Sequence, residues 1–172
     1  MGLSKGQLRE IVFTNPVALQ ATIGQVTQCE VWRAVGKHLS LSTEDLAALR
    51  TDFWQGSEWD MELLGFIRSL KPNYRTGIVS DAWLDARQNV KQYINNELFD
   101  VIVFSAEEGV KKPDPEIYRR ALARLGVDPQ EAIFVDDRLP NIAGAQQIGM
   151  QAIHHVETQY TFEVILHFLQ TQ

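Results

Sequence analysis

The sequence predicts an α/β protein: a doubly wound, Rossmann-like parallel sheet preceded by a helical cap. Three observations carry this reading. The first 72 residues read as successive helices with apolar positions at helical spacing. From about residue 74, short runs rich in Val, Ile and Phe alternate with helical stretches, the pattern of a parallel sheet with helices on both faces. Hydroxyl, ammonium and carboxylate groups follow the ends of those runs, at the edge where such sheets bind ligands.

The expected division is 1–72 for the cap and 73–172 for the α/β core. Leu8, Ile11, Val12 and Phe13 form a weakly periodic stretch read as helix, although 11–13 also suits a short strand. Thr27-Gln-Cys-Glu30 has the form of a capping box and opens a helix with Val31, Trp32, Val35 and His38. Ser42-Thr-Glu-Asp45 opens another, with Leu46, Leu49 and Phe53 on one face and Gly56 as its terminating glycine. Ser57 starts a third, carrying Met61, Leu64, Phe66, Ile67 and Leu70 and ended by Lys71-Pro72. Trp32, Trp54 and Trp59 are expected in the core of this helical lobe rather than as a stacking platform. In the second half, strands are expected over 76–80, 99–104, 132–136 and 151–154. Helices are expected over 84–98, 114–125, 140–148 and 162–169. Asp114-Pro115-Glu116 combines an N-cap acid, Pro at the first helical position and an acid in the first turn.

Charge narrows the partners. The 172 residues carry 16 Lys+Arg against 22 Asp+Glu, a net charge of −6, with 45% hydrophobic and 22% charged residues. That balance argues against nucleic acid and anionic membrane surfaces, which select clustered Lys and Arg. No apolar run approaches the roughly 20 residues of a membrane span, and the N-terminus shows no signal-peptide core. Cys29 is the only cysteine, so internal disulfides and cysteine zinc sites are excluded. A cytoplasmic location is expected.

The strand ends carry the chemistry. The first ends in Ser80-Asp81, the second is followed by Glu107, Glu108, Lys111 and Lys112, and the third ends in Asp136-Asp137-Arg138. Adjacent carboxylates repel unless a cation lies between them. Mg²⁺ prefers oxygen ligands and keeps several waters, and lysine is a compact charge suited to phosphate. The hydroxyl of Ser80 and the amides behind it could hold phosphate oxygens. The reading is a Mg²⁺-dependent phosphate site, although each piece alone also fits a helix cap or a solvated charge. His154-His155 reads as one buried and one exposed ring, and Trp83 either touches substrate or packs.

Gly77-Ile-Val-Ser80, Gly109-Val-Lys-Lys-Pro-Asp-Pro-Glu-Ile-Tyr118 and the run from Ile133 through Asp136-Asp137-Arg138 and Asn141 to Gly149-Met150 together resemble the haloacid dehalogenase (HAD-like) hydrolase superfamily. The motif-bearing resemblance covers about residues 74–155, with the helical first 70 residues similar to the family's cap. It implies that Ser80 binds phosphate, that Lys112 steadies the charge of nucleophile and phosphate, and that Asp136 and Asp137 hold Mg²⁺. Asn141 stands where many members carry a further acid. Asp81 stands where asparagine is common, which bears on the phosphate pocket.

The sequence departs from the family at the front. The resemblance implies a first strand ending in Asp-x-Asp, whose first Asp attacks phosphorus and whose second is the acid/base. No Asp precedes Asp45, and Asp-x-Asp occurs nowhere in the chain. Thr14-Asn15 ends the only early apolar run and offers no carboxylate. The sequence reads as starting inside the cap, so a truncated, inactive chain is expected. In the family's fold the missing strand is central, between the strands of Ile78 and Phe134. Those two must then pair directly or present open edges, and open edges favour a homodimer. The expected substrate is a small phosphorylated metabolite. A non-catalytic phosphate- or partner-binding protein is the alternative. A 2-haloacid dehalogenase is a further one, disfavoured because that chemistry does not use the metal that the Asp136-Asp137 pair suits.

Overall fold

The computed structural model describes residues 3–54, 59–71, 73–91, 94 and 97–170. The chain opens with helices α1 (Lys5–Thr14), α2 (Pro16–Thr22), α3 (Gln28–His38), α4 (Thr43–Trp54) and α5 (Met61–Leu70). Residues 11–13 are helical, the first of their two readings. Asn15 breaks α1 from α2: its side chain accepts from the amide of Ala18 while Pro16 takes the first position of the new helix. Both predicted starts of α3 and α4 are present. Thr27 and Glu30 form a capping box, and the Ser42 hydroxyl accepts from the amide of Asp45. The α5 helix is capped by Asp60, whose carboxylate accepts from the amide of Leu63. The expected signals at Gly56, Ser57 and Pro72 lie outside the described residues.

Four short parallel strands follow: β1 (Gly77–Ser80), β2 (Val101–Phe104), β3 (Ile133–Asp136) and β4 (Gln151–His154). All four fall inside the expected runs. The second starts two residues late because Asp100 is diverted. Its carboxylate accepts from the Thr76 amide at 2.8 Å and pairs with Lys71 at 2.5 Å. The intervening helices are α6 (Ala86–Val90), α7 (Ser105–Glu108), α8 (Pro115–Leu125), α9 (Leu139–Gln146) and α10 (Thr158–Gln170). The expected helix over 84–98 is therefore shorter, its described part ending at Val90. Ile94, Leu98 and Phe99 pack instead with Leu64 of α5 and Phe104 against the β1–β2 sheet. The last helix begins earlier than expected because the Glu157 carboxylate accepts from the amides of Gln159 and Tyr160.

The sheet is divided. The first strand pairs only with β2 and the third only with β4, so two parallel two-stranded sheets result. The strands of Ile78 and Phe134 do not pair directly, which is the second of the two expected arrangements. One apolar cluster still joins the halves: Val101 and Val103 of β2, Ile117, Tyr118 and Ala121 of α8, and Phe134 of β3 with Ile142 and Ala145 of α9. A second cluster holds α1 to α4 together around Val12, Val31, Trp32 and Val35. Trp83 belongs to this cluster, 7% exposed and beside Phe13 and Trp54. It packs, the second of its two expected roles. Among the described residues no helix is long and apolar enough to cross a membrane.

Candidate active site

The carboxyl ends of β1 and β3 meet at Lys112. Ser80 is the last residue of β1 and Asp81 follows it, while Asp136 is the last residue of β3. The amide of Lys112 donates to Asp81 Oδ1 at 2.9 Å, and its Nζ pairs with Asp136 Oδ2 at 2.6 Å. Both side chains of that pair are largely buried. Lys112 Nζ also lies 5.7 Å from the centre of the Phe134 ring, whose π face favours a cation. One lysine thus bridges two sheets that share no ladder.

Asp136 is held on its other oxygen as well. Its Oδ1 accepts from Asn141 Nδ2 at 2.8 Å and from the Arg138 amide at 2.9 Å. Burial raises its pKa, but the Lys112 and Asn141 contacts outweigh this and leave it below the ordinary carboxylate value. Asn141 is buried in the first turn of α9, and its backbone carbonyl accepts from the Tyr118 hydroxyl at 2.8 Å. The position where the family's further acid was expected is therefore a donor that fixes Asp136. Asp81 is shifted the other way: burial raises its carboxyl, only partly opposed by Lys112.

Asp137 points its carboxylate from an exposed position, while its backbone carbonyl meets His154 Nε2 at 3.1 Å. Among the described residues the Ser80 hydroxyl makes no hydrogen bond to protein. Ser80 and Asp81 lie at the carboxyl end of β1, Asp136 and Asp137 at that of β3, and Lys112 joins the two ends. Glu107 and Glu108 do not join them: Glu107 pairs with Arg87, and Glu108 with Arg120 and Arg124. The two histidines are both half-buried, not one buried and one exposed, since His155 is also held, by Thr161 Oγ1 at 2.8 Å. Among the described residues no group of three or more His, Cys, Asp or Glu side chains converges as a ready-made metal cage. The donors present are carboxylate oxygens, which suit Mg²⁺ in the form it commonly takes, one or two carboxylates completed by water and phosphate.

Sequence reasoning placed these five residues but not the role of Asn141, whose amide reaches Asp136 only because α9 begins at Leu139. The signal was its spacing, five residues after Asp136 on the first turn of a helix.

Comparison with known proteins gives the family and the fold. A family model described as haloacid dehalogenase-like hydrolase matches residues 43–149. A sesquiterpene phosphatase of Aspergillus oryzae is 29% identical over 143 residues, covering 80% of this chain and 71% of that protein. A glyceraldehyde 3-phosphate phosphatase of Pyrococcus furiosus is 37% identical over 89 residues, 51% of this chain and 37% of that protein, so the match spans little more than a third of the archaeal relative. Among solved structures, a HAD-like family hydrolase from Porphyromonas gingivalis superposes with a TM-score of 0.76 at 21% identity, covering 96% of this chain and 84% of that one. A HAD family enzyme of Bacteroides thetaiotaomicron, in complex with magnesium and inorganic phosphate, gives 0.71 at 20% identity, covering 92% and 89%.

Proposed function

Since the chain belongs to the haloacid dehalogenase-like hydrolases, we propose that its sheet edge is a Mg²⁺-dependent site for small phosphate monoesters. The observation that carries this is Lys112, held between Asp81 and Asp136 where β1 and β3 end, with Ser80 the last residue of β1. A phosphate placed there meets a hydroxyl donor and a fixed ammonium group. Asp137 would hold Mg²⁺, with Asp136 behind it oriented by Lys112 and Asn141. The metal would supply charge neutralisation for phosphate. The phosphatase relatives support phosphate over a haloacid.

Residues 1–72 would act as a helical cap over residues 73–172, with Leu64 of α5 packed against Phe104 and the β1–β2 sheet. Turnover needs a nucleophile, and no Asp-x-Asp is present to provide it. Binding without turnover is therefore what this chain is expected to show. The open edges of β1 and β3 support self-association into a homodimer. A cytoplasmic setting fits a site for small phosphorylated metabolites.

The test is hydrolysis of p-nitrophenyl phosphate with and without Mg²⁺, together with calorimetric titration of inorganic phosphate in Mg²⁺. The expected result is Mg²⁺-dependent phosphate binding, abolished in Asp137→Asn, with no product formed. Turnover lost in Asp137→Asn would replace the binding reading with the catalytic one. Phosphate binding indifferent to Mg²⁺ and to Asp137 would refute the site.

A further inference from the structure

The cap carries a second concave surface, away from the sheet edge. It is a groove of about 590 Å³ between α3 and α4, within the roughly 300–1,000 Å³ of small-molecule sites. Its lining contains Arg33, Lys37 and Arg50 and no carboxylate. In a chain of net charge −6, that is a local reversal of sign. Arg33 and Lys37 form no ion pair within 4.0 Å among the described residues. The nearby Glu30, whose charge reaches Arg33, is engaged with the amide and hydroxyl of Thr27. Arg50 is steadied by buried Gln28, Nη2 to Oε1 at 3.4 Å.

The apolar part of the lining comes from Trp32, Leu41 and Leu46. Trp32 is 2% exposed, and its indole Nε1 is buried with no acceptor among the described residues. Buried indole N–H groups normally find a partner. The Trp32 N–H is sealed beneath the groove, which therefore combines an apolar flank from Leu41 and Leu46 with three cations on its rim. Flat apolar surface alone would suit a helix of another protein, but the volume and the one-sided charge suit a compact anion with an apolar body.

We propose that the α3–α4 groove binds a small amphiphilic organic anion, a phosphate, sulfonate or carboxylate carried on an aromatic or aliphatic body. Arg33 and Lys37 take the anionic group through charge-assisted contacts, and the body lies against Leu41 and Leu46. The assignment stands apart from the phosphate site, since it uses none of Ser80, Lys112 or Asp137.

The probe is anilinonaphthalene sulfonate, which is not a substrate for phosphoryl transfer, titrated into the full chain by its emission and by quenching of tryptophan. Saturable binding at one site is expected. The double variant Arg33→Gln/Lys37→Gln, altered only at exposed positions, should bind roughly tenfold more weakly. Equal affinity in the double variant would overturn the proposal. So would equally tight binding of neutral N-phenylnaphthylamine. Displacement of the sulfonate by polyglutamate at lower concentration than by naphthyl phosphate would assign the groove to an acidic peptide instead.

Discussion

Lys112 shows how much one side chain can hold. Its amide satisfies Asp81, and its ammonium group satisfies Asp136 in a largely buried pair at 2.6 Å. Removing the ammonium leaves the Asp136 carboxylate buried with two neutral donors, so Lys112→Ala should cost about 3 kcal/mol in urea unfolding, the lower end for broken buried pairs. A loss within experimental error would mean that Asp136 is solvated in solution. Glu108 offers the complementary test in pH. Its bonds to Arg124 and Arg120 hold its carboxyl below the ordinary 4.5. A lowered pKa stabilises the fold above the unfolded value, and the contribution is lost as pH falls through the folded one. The urea midpoint should therefore drop below about pH 4.5 more steeply in the parent than in Glu108→Gln, and parallel pH curves would contradict the pairing. At this scale the sequence was informative wherever a residue followed a strand directly, as Ser80, Asp81, Asp136 and Asp137 do. It was silent where a partner comes from elsewhere in the fold. Glu107 and Glu108 read as site candidates until their arginines, 12 to 20 residues away in the chain, were placed beside them. Trp83 adjoins the site in sequence, yet its ring is claimed by Phe13 and Trp54 of the cap.

Among the elements, helix starts were the most legible feature, because capping is local chemistry. Thr27, Ser42 and Asp114 each cap the helix they were expected to open. Helix ends and close approaches were not, since they depend on what packs there. Gly144 on α9 is such an approach: a Cβ on it would lie 2.4 Å from the Pro113 carbonyl oxygen and 2.9 Å from Pro113 Cβ. Gly144→Ala must push α9 away from the segment that carries Lys112. The expected cost is about 1–3 kcal/mol, accompanied by weaker phosphate binding in calorimetry because Asn141 and Lys112 sit on the two displaced elements. A stability loss with unchanged phosphate affinity would show that the two elements move together. Gly24 makes the matching contact between the N-terminal helices and α7. Its φ is +75°, and a Cβ there would lie 2.2 Å from the Ala106 carbonyl oxygen, so α2 can approach α7 only with glycine at this turn.

For the whole molecule the decisive feature is the divided sheet, and it was legible as an absence. No early strand-like run ends in a carboxylate, so nothing in the chain was available to join β1 to β3. What could not be read was how the halves stay together without a shared ladder. They do so through α8, whose Ile117 and Tyr118 are fully buried between Val101 and Val103 on one side and Phe134 on the other. The apolar cluster supplies cohesion, but it does not satisfy the outer N–H and C=O groups of β1 and β3, which water or another strand must meet. Pairing with a second chain would satisfy them and would be favoured by mass action, so thermal stability should rise with protein concentration. Light scattering should then give the mass of two chains, and the thermal midpoint should climb across a hundredfold concentration series. A single-chain mass with a concentration-independent midpoint would mean that the edges are solvated and that Lys112 and α8 alone hold the two sheets in register.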